Sequence, residues 1–235
     1  VENKATLRKY QQTFFKTALS EKAPTGFAAY EFGDAYDNNR NKAFIDYLLK
    51  HKIKVYKNGN KFTVPLKQPQ RRMVQTMFET YGKYRDSVYY DASAWSVANF
   101  YNMKYRPVTS LNLGEKVSSL EKLVTPVSLQ KSDYAYIIDY DDYNAVAALN
   151  HLQSKGLVIS SSFKPFTIKT KSGDKQFNYG ALVVPVSLQK KDSNAVFKLL
   201  EDAQKQFKIP VYAVNSGYSS HGIDLGSRYV SPLTK

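Results

Sequence analysis

The chain has no cysteine, which excludes disulfide staples and thiolate zinc sites. Its only histidines are His51, His151 and His221, and its only tryptophan is Trp95. No apolar run approaches about 18 residues, so no segment is expected to span a membrane. Acidic residues are also scarce: 20 Asp and Glu stand against 34 Lys and Arg, a net charge of +14. Such an excess points first to nucleic acid. Two features argue against that partner. Lysine far outnumbers arginine, the residue best suited to bidentate base and phosphate contacts. The lysines are also scattered, as in Lys50, Lys52, Lys54, Lys57 and Lys61. Lysines of this kind on strand edges block edge-to-edge association. No nucleic-acid partner is expected.

What is present is enough for a folded core. The 43% hydrophobic and 14% aromatic content excludes disorder. The 235 residues fit one large domain or two small ones. The nineteen tyrosines read as half-buried residues with hydroxyls at the surface. The chain opens at Val1 without a signal-like segment, which reads as a processed chain or a piece of a longer one.

Two stretches repeat one order of elements. Residues 27–95 and 134–217 each read strand, helix, strand, strand, helix, strand. The anchors are Val64-Pro65-Leu66 and Val184-Pro185-Val186, leading to Val88-Tyr89-Tyr90 and Val211-Tyr212-Ala213. Before the first repeat, Leu7, Tyr10, Phe14, Phe15 and Leu19 recur at helical spacing. Within it, Asp37 or Asn38 offers an N-cap, and Phe44, Ile45, Leu48 and Leu49 share a helix face. Asn58-Gly59-Asn60 signals a hairpin turn. A second helix from Pro69 places Met73, Met77 and Phe78 inward. In the second repeat Asp141 or Asp142 caps one helix, with Gly156 ending it. Residues 157–168 and 176–186 form a long hairpin, bent at Lys164-Pro165-Phe166. Ser193 or Asn194 caps the last helix, and residues 210–214 close the unit.

The expected architecture is α+β, an α/β sandwich of two tandem β-α-β-β-α-β ferredoxin-like units related by internal duplication. Residues 1–26 form an N-terminal helix, 27–102 the first unit and 103–133 a connector. Residues 134–217 form the second unit, and 218–235 a C-terminal loop leading to a further domain. Whether the two units share one sheet is left open by the pattern.

The strings "VPLKQPQRRMVQTMFE" and "DSVYYDASAW", within residues 64–95, resemble a region of large secreted bacterial zinc carboxypeptidase-like proteins of the carboxypeptidase A type. The run "SGYSSHGIDLGS" is similar to the continuation of that region. The resemblance implies a secreted or periplasmic location and a place downstream of a zinc peptidase domain. A zinc site of that kind needs a His-x-x-Glu pair and a later histidine, leaving an open position where water is activated. Here the third residue after each histidine is Lys54, Ser154 or Asp224. No metal ligands and no catalytic residues are therefore expected in this chain. Zinc is implied only for the parent peptidase domain.

Other constellations read as structure. Ser219, Ser220, His221 and Asp224 sit in a loop punctuated by Gly217, Gly222 and Gly226, and adjacency in sequence does not make a triad. Asp133, Asp139, Asp141 and Asp142 flank a strand and a helix start, lack the turn glycine of a calcium loop and read as helix capping. The candidate binding residues are Gln68, Arg71, Arg72, Asp91 and Trp95. The two arginines at a helix start suit a peptide carboxylate. Asp91 and Trp95 lie where the first unit's sheet ends, with Asp91 capping the helix that holds Trp95 in the core. The expected function is a non-catalytic accessory region aiding peptide or glycopeptide recognition. Its expected partners are neighbouring domains of the same polypeptide, and peptides. The alternative is a stand-alone ligand- or peptide-binding module.

Overall fold

The computed structural model describes residues 3–20, 26–79, 96–123 and 128–234. The chain divides into two compact units, Val1–Leu123 and Val124–Lys235. Among the described residues it is a mixed α/β protein with six α-helices and three antiparallel sheets.

The first unit contains α1 (Lys4–Ala18), β1 (Ala29–Phe32), α2 (Asn38–Lys50), β2 (Tyr56–Asn58) and β3 (Lys61–Pro65). It continues with α3 (Arg71–Phe78), α4 (Val97–Phe100), β4 (Tyr105–Val108) and β5 (Glu115–Lys116). Its sheet runs β4-β1-β3-β2-β5. Asp37 starts α2 by accepting the Arg40 amide at 2.8 Å, the capping bond expected of that residue type. The helix then buries Phe44, Ile45 and Leu48 against the sheet. From the sheet, Tyr30, Phe32, Phe62 and Val64 meet them. The Tyr30 ring stacks on Phe78 at 4.6 Å, and Phe32 meets Phe44 edge-on at 5.0 Å.

The second unit contains β6 (Ala135–Ile138), α5 (Ala145–Ser154), β7 (Ser160–Ser162), β8 (Phe166–Thr170) and β9 (Gly173–Phe177). It continues with β10 (Leu182–Pro185), α6 (Ser193–Phe207), β11 (Val211–Val214), β12 (Ser219–Gly222) and β13 (Val230–Pro232). One sheet runs β11-β6-β10-β7-β13, and the other runs β12-β8-β9. The helix-side core holds Tyr136, Ile138, Leu182 and Val184 with Ala148, Leu152, Val196 and Leu200. The buried Tyr136 hydroxyl donates to the Ser132 carbonyl at 3.0 Å and accepts the Ser132 amide at 2.8 Å. A buried phenol is retained only with such partners, and burial raises its pKa.

The two units coincide in register. Ala29 pairs with Pro65 and Tyr30 with Val64; Ala135 pairs with Pro185 and Tyr136 with Val184. In each, a four-residue strand flanks the first strand's other side, β4 in one and β11 in the other. The helix ends match as well. Lys52 follows α2 at φ 59°, and the Ile53 amide reaches back to the Leu48 carbonyl. Gly156 follows α5 at φ 80°, and Leu157 reaches back to Leu152. Asn102 and Lys208, each three residues before β4 and β11, also have positive φ.

The far faces of the two sheets differ. In the second unit, Ala135, Ile137, Val183 and Val214 are covered by Phe166, Ile168 and Phe177 of the three-stranded sheet. Each such side chain contributes roughly 1.5–3 kcal/mol on full burial, less for alanine. In the first unit, Glu31 stands between Thr63 and Arg106 at the register position of Ile137. The connections account for the difference. Only Gly59 and Asn60 separate the paired residues Asn58 and Lys61, whereas residues 163–181 between β7 and β10 carry β8 and β9.

Several expectations are corrected. The strand closing the first sheet beside β1 is Tyr105–Val108, inside the stretch read as connector; Val88-Tyr89-Tyr90 lies outside the described residues. The long hairpin is broken at Lys164-Pro165, because β7 joins β10 while β8 and β9 leave to form a sheet with β12. Residues 218–235 contain two paired strands, β12 and β13. Asp192 caps α6, accepting from the Asn194 and Ala195 amides at 2.9 Å, in place of Ser193 or Asn194. Neither Asp141 nor Asp142 is the N-cap of α5, whose cap position is Asn144. Met73 is exposed, and Val74 points inward instead.

The paired helix ends make a direct test. A side chain in the left-handed region costs about 1–2 kcal/mol, partly offset by the stiffer unfolded chain. Lys52→Gly is therefore expected to stabilise the first unit by about 0.5 kcal/mol. Gly156→Ala, whose new methyl would meet nothing within 4 Å, is expected to cost about 1 kcal/mol. Urea denaturation of the two variants reads both signs.

Candidate functional site

Gln68, Arg71 and Arg72 lie at the junction of β3 and α3, where the chain turns from strand to helix. Gln68 is fully buried. Its side-chain amide donates to the Pro65 carbonyl at 2.6 Å, and its oxygen accepts the Lys54 amide at 2.8 Å. It ties the corner to the chain entering β2 and has no surface for a ligand.

Arg71 is only 3% exposed. Its Nη1 donates to the Thr17 carbonyl at 2.7 Å and the Ser20 carbonyl at 3.2 Å. These acceptors lie at the end of α1, where helical carbonyls lack partners and the dipole is negative. Arg71 thus caps α1 from another element. Among the described residues its Nε and Nη2 are buried without a partner, an unfavourable contribution set against those bonds. Burial foremost, with Arg72 beside it, pulls its pKa down, but a guanidinium stays charged. Arg72 donates to the Phe14 carbonyl at 3.0 Å and to the Thr17 hydroxyl at 3.2 Å, and lies 4.0 Å over the Phe14 ring. The two arginines hold the end of α1, and both use donors that a peptide carboxylate would need.

The rest of α1 is uncovered. Ala18 is buried and Phe14 half-buried, while Leu7 is 66% and Tyr10 68% exposed; Phe15 and Leu19 are exposed too. Asp91 and Trp95 lie outside the described residues.

The residues around His221 are held by backbone. Asp224 accepts the Ser219 amide at 2.8 Å, the Ser219 hydroxyl donates to the Ile223 carbonyl at 2.8 Å, and the Ser220 hydroxyl donates to the Thr167 carbonyl at 3.2 Å. The strand pairing places His221 opposite Thr167, after a register shift. Asp139 pairs with Lys175 at 2.9 Å, Asp141 accepts from Asn178 at 2.6 Å, and Asp142 accepts the Asn144 amide at 2.8 Å. Among the described residues, no group of three or more His, Cys, Asp or Glu side chains could hold a metal ion.

One cavity was not foreseen from the sequence. It measures about 210 Å³ and is lined by Glu31, Phe32, Gly33, Lys61, Lys104, Tyr105 and Arg106. Three cations and one carboxylate give the lining a net charge of +2. Glu31 Oε1 accepts from Lys61 Nζ and Arg106 Nε, each at 2.9 Å, with Arg106 Nη2 also at 2.9 Å. The Lys61 bond is the main cause that holds the Glu31 carboxyl below its usual pKa; burial opposes it, and Arg106 adds to the lowering. These residues come from β1 and the glycine after it, the start of β3, and β4 with the lysine before it. Only the polar position of Glu31 between Tyr30 and Phe32 hints at them in the sequence.

Comparison with family models, with characterised proteins and with solved structures finds no match to this chain.

Two predictions follow from these contacts. Arg71→Met is expected to cost about 2 kcal/mol, the scale of charge-assisted hydrogen bonds, and to release α1. Faster amide hydrogen exchange over residues 7–18, with β1 and β3 still protected, is the readout. The second concerns pH. Because the folded pKa of Glu31 is lowered, its contribution is fully present above the unfolded value of about 4.3 and lost as pH falls through the folded value. Glu31→Gln is therefore expected to flatten the decline of the urea midpoint below about pH 4.3. The two proteins should converge in acid.

Proposed function

We propose that this chain is a non-catalytic accessory region of a secreted zinc carboxypeptidase-like protein. It packs against neighbouring domains of the same polypeptide and aids recognition of peptide substrates. Its architecture is a tandem pair of ferredoxin-like units that arose by duplication. The matched pairs Ala29–Pro65 and Ala135–Pro185, and the shared strand orders β4-β1-β3-β2 and β11-β6-β10-β7, support the duplication.

The observation that carries the functional reading is the uncovered face of α1. A buried guanidinium is used to anchor a helix whose Leu7 and Tyr10 remain about two-thirds exposed. An anchored helix with exposed large apolar side chains fits a contact surface better than a free terminus. The strings within residues 64–95 supply the identity of the parent, and zinc belongs to the peptidase domain in this reading. A stand-alone binding module is the second reading, favoured by the charged cavity at Glu31.

The test compares the intact gene product, this chain alone, and the intact product lacking it. Zinc-dependent release of C-terminal amino acids from a peptide mixture is measured in each. Activity is expected only where the peptidase domain is present, with an altered substrate range when this chain is deleted. Residues 7–18 are expected to exchange amide hydrogens more slowly in the intact product than in the chain alone. A gene product without a metallopeptidase domain would overturn the reading, as would zinc-dependent release by this chain alone.

A further inference from the structure

We propose that the cavity formed by Glu31, Lys61, Lys104 and Arg106 binds a small carboxylate, the free C-terminus of a peptide. The proposal deepens the reading of this chain as a peptide-recognition region, accessory or stand-alone, and rests on it for the choice of a peptide. The cavity's own chemistry supplies the rest. Its cations already hold one carboxylate: Arg106 presents two adjacent nitrogens, and Lys61 a third donor, to a single oxygen of Glu31. Charge-assisted bonds of this kind are shorter and stronger than neutral ones. Glu31 therefore occupies the place of a ligand group. Lys104 takes part in no ion pair among the described residues, so the lining keeps a net charge of +2 for an incoming anion.

Size and position narrow the ligand. A volume of about 210 Å³ suits one residue-sized group and falls below the roughly 300–1,000 Å³ of drug-sized pockets. Among the described residues β4 is the edge strand of its sheet, so an extended peptide can run beside it while its terminus enters the cavity. The second unit has no counterpart. Ile137 stands where Glu31 does, and Phe166, Ile168 and Phe177 cover that face.

The experiment titrates this chain alone with an acetylated dipeptide carboxylate, its C-terminal amide, the free amino acid and inorganic phosphate. Affinity is read by calorimetry at low ionic strength. The dipeptide carboxylate is expected to bind at least ten times more tightly than the other three. Arg106→Gln and Lys104→Gln are each expected to weaken it about tenfold, with Lys190→Gln as an unaffected surface control. Glu31→Gln is expected to tighten binding, because it removes the internal competitor. Circular dichroism checks that each variant is folded.

Equal binding of carboxylate and amide would overturn the proposal. So would phosphate binding as tight as the carboxylate, or affinity that all three cavity variants leave unchanged. A preference for the free amino acid would reject the peptide as the source. None of these outcomes involves peptidase activity, so failure here is distinct from failure of the accessory reading.

Discussion

A β-sheet has two faces, and a helical layer can cover only one. Each unit meets this constraint at β1 and β6, whose side chains alternate between the helix side and the far side. On the helix side the solutions are nearly identical, with a tyrosine in register opposite the valine of a Val-Pro pair. On the far side they diverge. The second unit extends one hairpin connection into β8 and β9 and recruits β12, so its far face is apolar and covered. The first unit closes the same connection in two residues and places Glu31, Lys61 and Arg106 there. The charged cavity is thus a product of the shorter connection.

The arginines of α3 show how a surface motif can become internal. Polar residues at a helix start invite a ligand reading, because that end attracts anions. Here the partner is the carbonyl end of another helix, which attracts cations for the same electrostatic reason. Arg71 therefore belongs to the scaffold. By fixing the end of α1, it determines where Leu7 and Tyr10 are displayed.

Much of the fold was legible because its signals are local. The Asp37 cap, the Asn58-Gly59 turn and the 3.6-residue spacing of Phe44, Ile45 and Leu48 each act within a few residues. The repeated Val-Pro pairs were legible for the same reason. The closing strand was not. Tyr105-Arg106-Pro107-Val108 is short, and its proline is tolerated because, among the described residues, it lies at a sheet edge. Residues 157–168 read as one strand because nothing in their composition states which sheet each half joins. The site was the least legible part. Arg71 reaches carbonyls more than fifty residues away, and Glu31, Lys61 and Arg106 meet only once β1, β3 and β4 have paired.

The pairing of β13 with β7, and of β12 with β8, has a consequence for synthesis. Among the described residues every strand of the first sheet precedes residue 117, and its core is complete by Leu123. The second unit's layers stay incomplete until Val230–Pro232 have been made. At roughly 5–20 residues per second, the interval is on the order of ten seconds. During it the apolar faces of Ile137 and Phe166 lack their final cover. The first unit can be native while the second is still an open sheet, and exposure to aggregation is greatest before β12 and β13 have been made.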